Sequence, residues 1–220
     1  MSETDSATAS AASAAPNRRP LTSRSSAWAG RLSGWAVERG FTPNQISRAS
    51  IGVSAGGAIC FALSLYGPGI LQFFWLLLAA AACQARLVCN LIDGMVAIEG
   101  GKGTKDGPFW NEVPDRLSDL FLLTGAGIAG GNPGLGAIAA ALAIATAYLR
   151  ELGRAEGFPP DFSGPMAKPH RMAALTGGSV VAAFYASEWT LGLTLWVILA
   201  GTALTLLSRS VRLIKALKAL

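Results

Sequence analysis

Six apolar stretches recur along the chain, at about 51–66, 70–93, 113–130, 135–149, 173–189 and 191–207. Each lies near the lower limit of the roughly 17 to 25 residues needed to cross a bilayer as a helix. Charged residues make up only 14% of the 220 positions and hydrophobic ones 51%, a membrane-protein balance. Lipid offers no partner to a backbone amide, so a spanning segment must be a helix or a strand of a closed barrel. No stretch shows the two-residue alternation of a barrel strand. The chain is therefore expected to be an all-α integral membrane protein with six transmembrane helices.

The 18 Lys and Arg residues set the orientation and exclude a nucleic-acid surface, despite a formal net charge of +5. Sixteen fall before the first apolar run, between the second and third, around the fourth-to-fifth connection and after the last, and Arg86 and Arg116 sit in the second and third runs toward that same end. The alternate turns near 67–69, 131–134 and Glu188 carry none. The positive-inside rule then puts both termini and the second-to-third loop in the cytoplasm, giving a multi-pass protein of the cell (inner) membrane. Residues 1–23, rich in Ala, Ser and Thr, read as a disordered cytoplasmic tail. Residues 24–41 place Trp28, Leu32 and Trp35 on one helical face with Arg24, Arg31 and Arg39 around them, which suits an amphipathic helix in the headgroup layer. Residues 42–220 form the membrane domain, entered through the turn and cap Thr42-Pro43-Asn44-Gln45. Trp75, Trp110, Trp189 and Trp196 read as interface or packing aromatics.

Cys60, Cys83 and Cys89 lie in apolar runs and read as small buried residues without disulfide or zinc spacing. His170 is the only histidine, so neither a histidine metal site nor a Ser-His-Asp triad is easily built.

Polar side chains in such a chain are informative, and they concentrate in one segment, NLIDGMVAIEGGKGTKDGPFWNEVPD, from Asn90 to Asp115. Asn90 and Asp93 are three residues apart and Asn111 and Asp115 four apart, so each pair shares a helical face. Glu112, Asp115 and Asp119 share another face. Two helix ends carrying oxygen donors can converge on a hard cation, and polar groups at the edge of lipid persist where they pair, coordinate or line a wet cavity.

This segment resembles the signature of the CDP-alcohol phosphotransferase family, D-x2-D-G-x2-A-R-x8-G-x3-D-x3-D. Asn90, Asp93, Gly94, Ala97, Ile98, Gly107, Asn111 and Asp115 occupy its positions at the same spacing. Three residues depart from it: the first and third acids are Asn90 and Asn111, and the Arg is Ile98. The resemblance implies a six-helix homodimer with a cytoplasmic site. There, Mg²⁺ or Mn²⁺ is held by Asn90, Asp93, Asn111 and Asp115, with Glu112 able to restore one lost charge. It implies that Gly94, Ala97 and Gly107 lie against the nucleotide of a CDP-diacylglycerol-like lipid. Asp115 is then the general base that activates a small alcohol acceptor as CMP leaves. Lys105 in the glycine-rich loop can meet phosphate, and Arg150, Lys168 and Arg171 can grip an anionic acceptor or anionic headgroups. The two Asn residues also fit a relative that binds nucleotide lipid or a cation without turnover.

Arg86 lies one and two helical turns before Asn90 and Asp93, roughly 10 Å deeper than Asp93, and Asp119 lies roughly 12 Å deeper than Asn111 on the next run. The matched depths predict an Arg86–Asp119 ion pair beneath the site.

Overall fold

The structure, a computed structural model, describes residues 26–67, 69–98 and 100–220. The 1–23 tail and Arg24 lie outside the described residues. The described chain forms seven helices: α1 (Ala27–Glu38), α2 (Pro43–Leu63), α3 (Ile70–Ile98), α4 (Gly107–Ala129), α5 (Pro133–Ala155), α6 (Lys168–Phe184) and α7 (Ser187–Leu217).

Local chemistry starts these helices where the sequence says it should. Thr42 and Gln45 close a reciprocal capping box, with Gln45 N–H donating to Thr42 Oγ1 at 3.2 Å and Thr42 N–H to Gln45 Oε1 at 2.9 Å. Pro43 opens α2, where its missing N–H costs nothing. Asn132 caps α5 by accepting the Leu135 N–H at 2.9 Å.

Four helices, α2, α3, α5 and α7, are long and apolar enough to cross a membrane. The other two of the expected six, α4 and α6, differ for visible reasons: α4 carries Glu112, Asp115, Arg116 and Asp119, and α6 has only 17 residues. Hydropathy also misplaced several ends, because charged residues close an apolar run without ending a helix. Thus α3 continues to Ile98, α4 begins at Gly107 rather than Val113, and α7 carries Arg209, Arg212 and Lys215 on its last turns. The break between the last two helices falls at Tyr185 and Ala186, placing Glu188 and Trp189 in the first turn of α7.

In the bundle, α2 wedges between α3 and α4, α5 packs on α4 and α7, and α6 packs on α3 and α7. Small residues set the closest approaches. A Cβ on Gly125 would stand 2.7 Å from the Ala58 Cα, and one on Gly127 would stand 2.8 Å from the Gly136 Cα, so glycine lets α4 touch α2 and α5 backbone to backbone. Phe61, Leu76, Leu122, Leu123, Met172, Leu175, Leu191, Leu195 and Ile198 fill the core. α1 lies against the end of α3, burying Ala29 and Ala36 on Leu91, Ile92, Met95 and Val96, and leaves Trp28 and Trp35 exposed. Alternation of direction brings the start of α2, α4 and α6 and the end of α3, α5 and α7 to one end of the bundle, where the polar residues gather.

Candidate active site

Asp93 sits near the end of α3, 6% exposed, facing the first turn of α2. The Ser47 hydroxyl lies 2.6 Å from Asp93 Oδ2 and 3.1 Å from the Pro43 carbonyl. The other oxygen, Oδ1, is buried with no hydrogen-bond partner among the described residues. A buried carboxylate oxygen left bare is costly, so its position suits a bound cation or a donor from a substrate.

Asp115 lies across from it on α4 and is the most heavily partnered carboxylate of the site. The Asn90 amide nitrogen donates to Oδ1, and the Lys168 ammonium donates to Oδ2. Arg86 Nη2 stands 3.4 Å from Oδ1 and Arg116 Nη1 3.9 Å from Oδ2.

Beneath these residues lies a buried charge network. Arg86, fully buried, donates to Asp119 Oδ1 at 2.8 Å and to the Asp115 carbonyl at 3.1 Å. This is the ion pair that matched depths predict. Arg171 joins it: Nη2 donates to Asp119 Oδ2 at 2.8 Å and Nη1 to the Met166 carbonyl at 3.0 Å. Asp119 is thus shared by two guanidinium groups, and Arg171, expected from sequence to grip an acceptor or headgroups, is held by Asp119 while also lining the basic cavity on this side of the site.

Two expected cation ligands stand apart. Glu112 is bound by both Arg116 and Arg150, and Asn111 is exposed with its amide 3.2 Å from Glu112 Oε1. Asn90, Asp93 and Asp115 are brought together; Asn111 and Glu112 turn toward the basic side. Among the described residues, no three His, Cys, Asp or Glu side chains converge as a metal set. The donors that remain, the bare Asp93 Oδ1 and the Asn90 amide oxygen, are hard oxygens and fit Mg²⁺ or Mn²⁺.

The connecting loop is tied down at both sides. Lys102 donates to the Val37 carbonyl at 3.1 Å, at the end of α1. Asn44 donates to both oxygens of Asp106 at 3.1 Å, and Trp110 Nε1 donates to Oδ2 at 2.9 Å. Hydrogen bonds involving Thr104 and Asn44 hold the Asp106 carboxyl below the usual range. Lys105 is exposed, and Gly94, Ala97 and Gly107 are half-buried along the loop and the end of α3.

Near Asp115 a cavity of about 40 Å³ opens between α4, α5, α6 and α7, its charged lining made of Arg116, Arg150, Lys168, Arg171 and Arg209 with the one carboxylate Asp119. Arg209, 7% exposed, is held by the Thr146 carbonyl at 2.8 Å and the Ser163 carbonyl at 3.0 Å. Among the described residues, no carboxylate lies within ion-pair distance of it. Arg150 stacks over the Phe162 ring at 5.3 Å. Sequence reasoning missed Ser47, which looks like any helix serine, and assigned Arg116 and Arg209 to topology alone. Arg209 is four residues beyond Thr205 on one helical face with Thr202, a polar stripe that could have flagged a buried guanidinium.

No family model matches the chain. It is 28% identical to the phosphatidylinositol phosphate synthase of Mycolicibacterium smegmatis over 184 residues, covering 79% of this chain and 78% of that protein. It is 24% identical to the synthase of Mycobacteroides abscessus over 181 residues, covering 79% and 77%. The fold matches the crystal structure of the Mycobacterium tuberculosis phosphatidylinositol phosphate synthase with CDP-DAG bound. The TM-score is 0.69 at 19% identity, over 84% of this chain and 92% of that one. The same protein in complex with manganese and citrate gives a TM-score of 0.69 over 84% and 88%. These relatives agree with the family resemblance carried by the 90–115 segment.

Proposed function

We propose that this chain is a membrane phosphatidyltransferase of phospholipid biosynthesis, related to the phosphatidylinositol phosphate synthases. It transfers the phosphatidyl group of CDP-diacylglycerol to a small alcohol, using Mg²⁺ or Mn²⁺, and releases CMP. The observation that carries this reading is the buried Asp93 Oδ1, without a partner among the described residues, beside Asn90, with Asp115 between it and a cavity rich in basic side chains.

In this reading Asp93 and Asn90 hold the divalent ion, which supplies neutralising charge to the diphosphate when bound. Gly94, Ala97 and Gly107 leave room for the nucleotide, with Lys105 at the loop. The acceptor hydroxyl bonds to the β-phosphorus of the CDP-lipid as the bond from that phosphorus to the CMP oxygen breaks. Asp115 takes the hydroxyl proton. Ser47 fixes the rotation of Asp93, and the Arg86–Asp119–Arg171 network fixes the height of Asp115. Arg116, Arg150, Lys168 and Arg209 favour an acceptor that itself carries a phosphate, such as an inositol phosphate or glycerol 3-phosphate.

All six helices from α2 to α7 cross the membrane in this account. The 17 residues of α6 span roughly 25 Å, and the charged Asp115, Asp119 and Arg171 are buried inside the bundle rather than facing lipid. The basic end is cytoplasmic, α1 lies in the headgroup layer, and the family resemblance implies a homodimer.

A second reading, binding without turnover, is favoured by one observation: both Asp115 oxygens already accept from Asn90 and Lys168. Purified protein given CDP-diacylglycerol, Mn²⁺ and a panel of alcohols separates the two. CMP release with a phosphorylated acceptor and little with its unphosphorylated counterpart is expected. Binding of CDP-diacylglycerol without CMP release, whichever acceptor is supplied, would leave the binding protein.

A further inference from the structure

We propose that a cavity at the basic end of α5 and α7 binds one anionic phospholipid of the surrounding leaflet, its phosphate on Arg209 and Arg212 and its glycerol region against Leu149, Phe158, Leu213 and Ala216. This rests on the membrane placement given above and is independent of turnover.

The cavity measures about 220 Å³ and is separate from the one near Asp115, although Arg150 and Arg209 line both. Its wall follows from the way α5 ends. Gly157, at φ +86°, reverses the chain so that the Phe158 N–H donates to the Gly153 carbonyl at 2.9 Å, a Schellman closure that seats Phe158 and Pro159 against the helix they have just left. The facing wall is α7, which presents Arg209, Arg212, Leu213 and Ala216 at i, i+3, i+4 and i+7. One helical face thus carries two guanidinium groups followed by two apolar side chains.

The charges call for an anion. Arg150 is paired with Glu112 and Glu151, and Arg212 with Asp161, whose Oδ2 lies 2.9 Å from Nε and 2.8 Å from Nη2. Arg209, 7% exposed, donates through Nε and Nη1 to two backbone carbonyls. Among the described residues, neither a carboxylate nor an acceptor for its Nη2 lies within reach. A buried guanidinium held only by neutral groups is half of an ion pair, and phosphate is an anion that its planar fork fits.

Depth identifies the occupant as a lipid rather than a soluble phosphate. Leu204, Leu207, Val211 and Ile214 form an exposed apolar stripe along the outer face of α7, and it continues past Arg209 and Arg212 to the turn that carries Ala216. Hydrocarbon therefore reaches the level of the cavity, and Lys215 and Lys218, exposed on the last turns, lie where anionic headgroups begin. A ligand at that level meets phosphate donors and an apolar wall together, which suits an amphiphile better than a phosphorylated polyol. The volume is below the roughly 300 Å³ of a pocket for a whole drug-sized ligand, so it suits a phosphate with its glycerol while the acyl chains stay in the bilayer.

Native mass spectrometry of the full-length protein in detergent, given phosphatidylglycerol or phosphatidylcholine with the same acyl chains, tests this. Wild type is expected to retain one more phosphatidylglycerol than phosphatidylcholine. Ala216→Phe, which fills the cavity without changing its charge, and Arg212→Gln are each expected to lose that lipid, with at least a tenfold fall in apparent affinity, while unfolding in SDS as wild type does. Glycerol 3-phosphate, which offers the same phosphate without chains, is expected to show no binding that depends on Ala216. Equal retention of phosphatidylglycerol by wild type and both variants would overturn the inference by placing the lipid on the general bilayer surface. Binding of glycerol 3-phosphate, but not of phosphatidylglycerol, that is lost in Ala216→Phe would overturn it by giving the cavity to the acceptor. Retention that depends on Ala216 and Arg212 in a protein that releases no CMP would remove the catalytic reading and leave this inference in place.

Discussion

Replacing Asp119 by leucine removes the single anion shared by two cations that are almost completely buried. The Arg86, Asp119 and Arg171 side chains are 0%, 5% and 4% exposed, and both contacts to Asp119 are 2.8 Å. In Asp119→Leu, Arg171 retains only the Met166 carbonyl, and Arg86 retains Asp115 at 3.4 Å and its carbonyl at 3.1 Å. Among the described residues, Arg86 Nε and Nη1 and Arg171 Nε already lack partners, so these guanidinium groups have few contacts to fall back on. Breaking a buried pair from one side costs about 3 to 5 kcal/mol, a factor of roughly 10² to 10³ or more in the folded fraction. Arg86→Met should cost less, about 1.5 to 3 kcal/mol, because Asp119 keeps Arg171 and one charged hydrogen bond is lost. The double variant should be more stable than the sum of the singles by at least about 1 kcal/mol, since no Arg86 charge remains to be stranded. Unfolding in detergent with increasing SDS, followed by tryptophan fluorescence, reads all three. Losses that add within about 0.5 kcal/mol would mean that the contact is not energetically coupled, and the floor of the site would need another explanation.

Other outcomes follow from the same geometry. Asp93→Ala and Asp115→Ala should each abolish CMP release while the protein stays folded in membranes, and transfer at near wild-type rate in either would refute their assigned places. Ser47→Ala should raise the Mn²⁺ concentration for half-maximal binding roughly tenfold by freeing Asp93 to rotate, at about 1.4 kcal/mol. Ser47→Thr should restore it; an unchanged binding curve in Ser47→Ala would rule out the positioning role. Burial pushes the Asp161 carboxyl up, but the Ser163 hydrogen bonds and Arg212 outweigh it and hold it below the usual range. A carboxyl depressed on folding contributes stability that is present above its unfolded value near 4 and lost as the pH falls through the folded one. Order in the 156–167 loop, read by proteolysis, should therefore weaken below about pH 4, and Asp161→Asn should flatten that dependence.

Helix existence was legible because lipid leaves few alternatives: each apolar run became a helix, and the Thr42 cap and Asn132 turn marked where two begin. The ends of α3, α4 and α7 were not legible, because polar residues buried in the bundle interior look the same in a linear sequence as polar residues in a loop. The convergence of Asn90, Asp93 and Asp115 followed from spacing along two helices joined by a short loop. The placement of Glu112 did not, since it depends on Arg150, 38 positions away on α5. Arg171 shows the same limit. Its basic character was evident, but its partner was settled by packing of α6 on α3 and α4's Asp119, which no local pattern encodes.

The central claim is tested most directly by following a phosphorus label in the β-phosphate of CDP-diacylglycerol through the purified wild-type protein with Mn²⁺ and a phosphorylated alcohol. The label is expected to appear in a new phospholipid that carries the acceptor, with unlabelled CMP released in equal amount and both products lost when the ion is chelated. Label that remains in CDP-diacylglycerol, in protein that binds both nucleotide and Mn²⁺, would contradict the account.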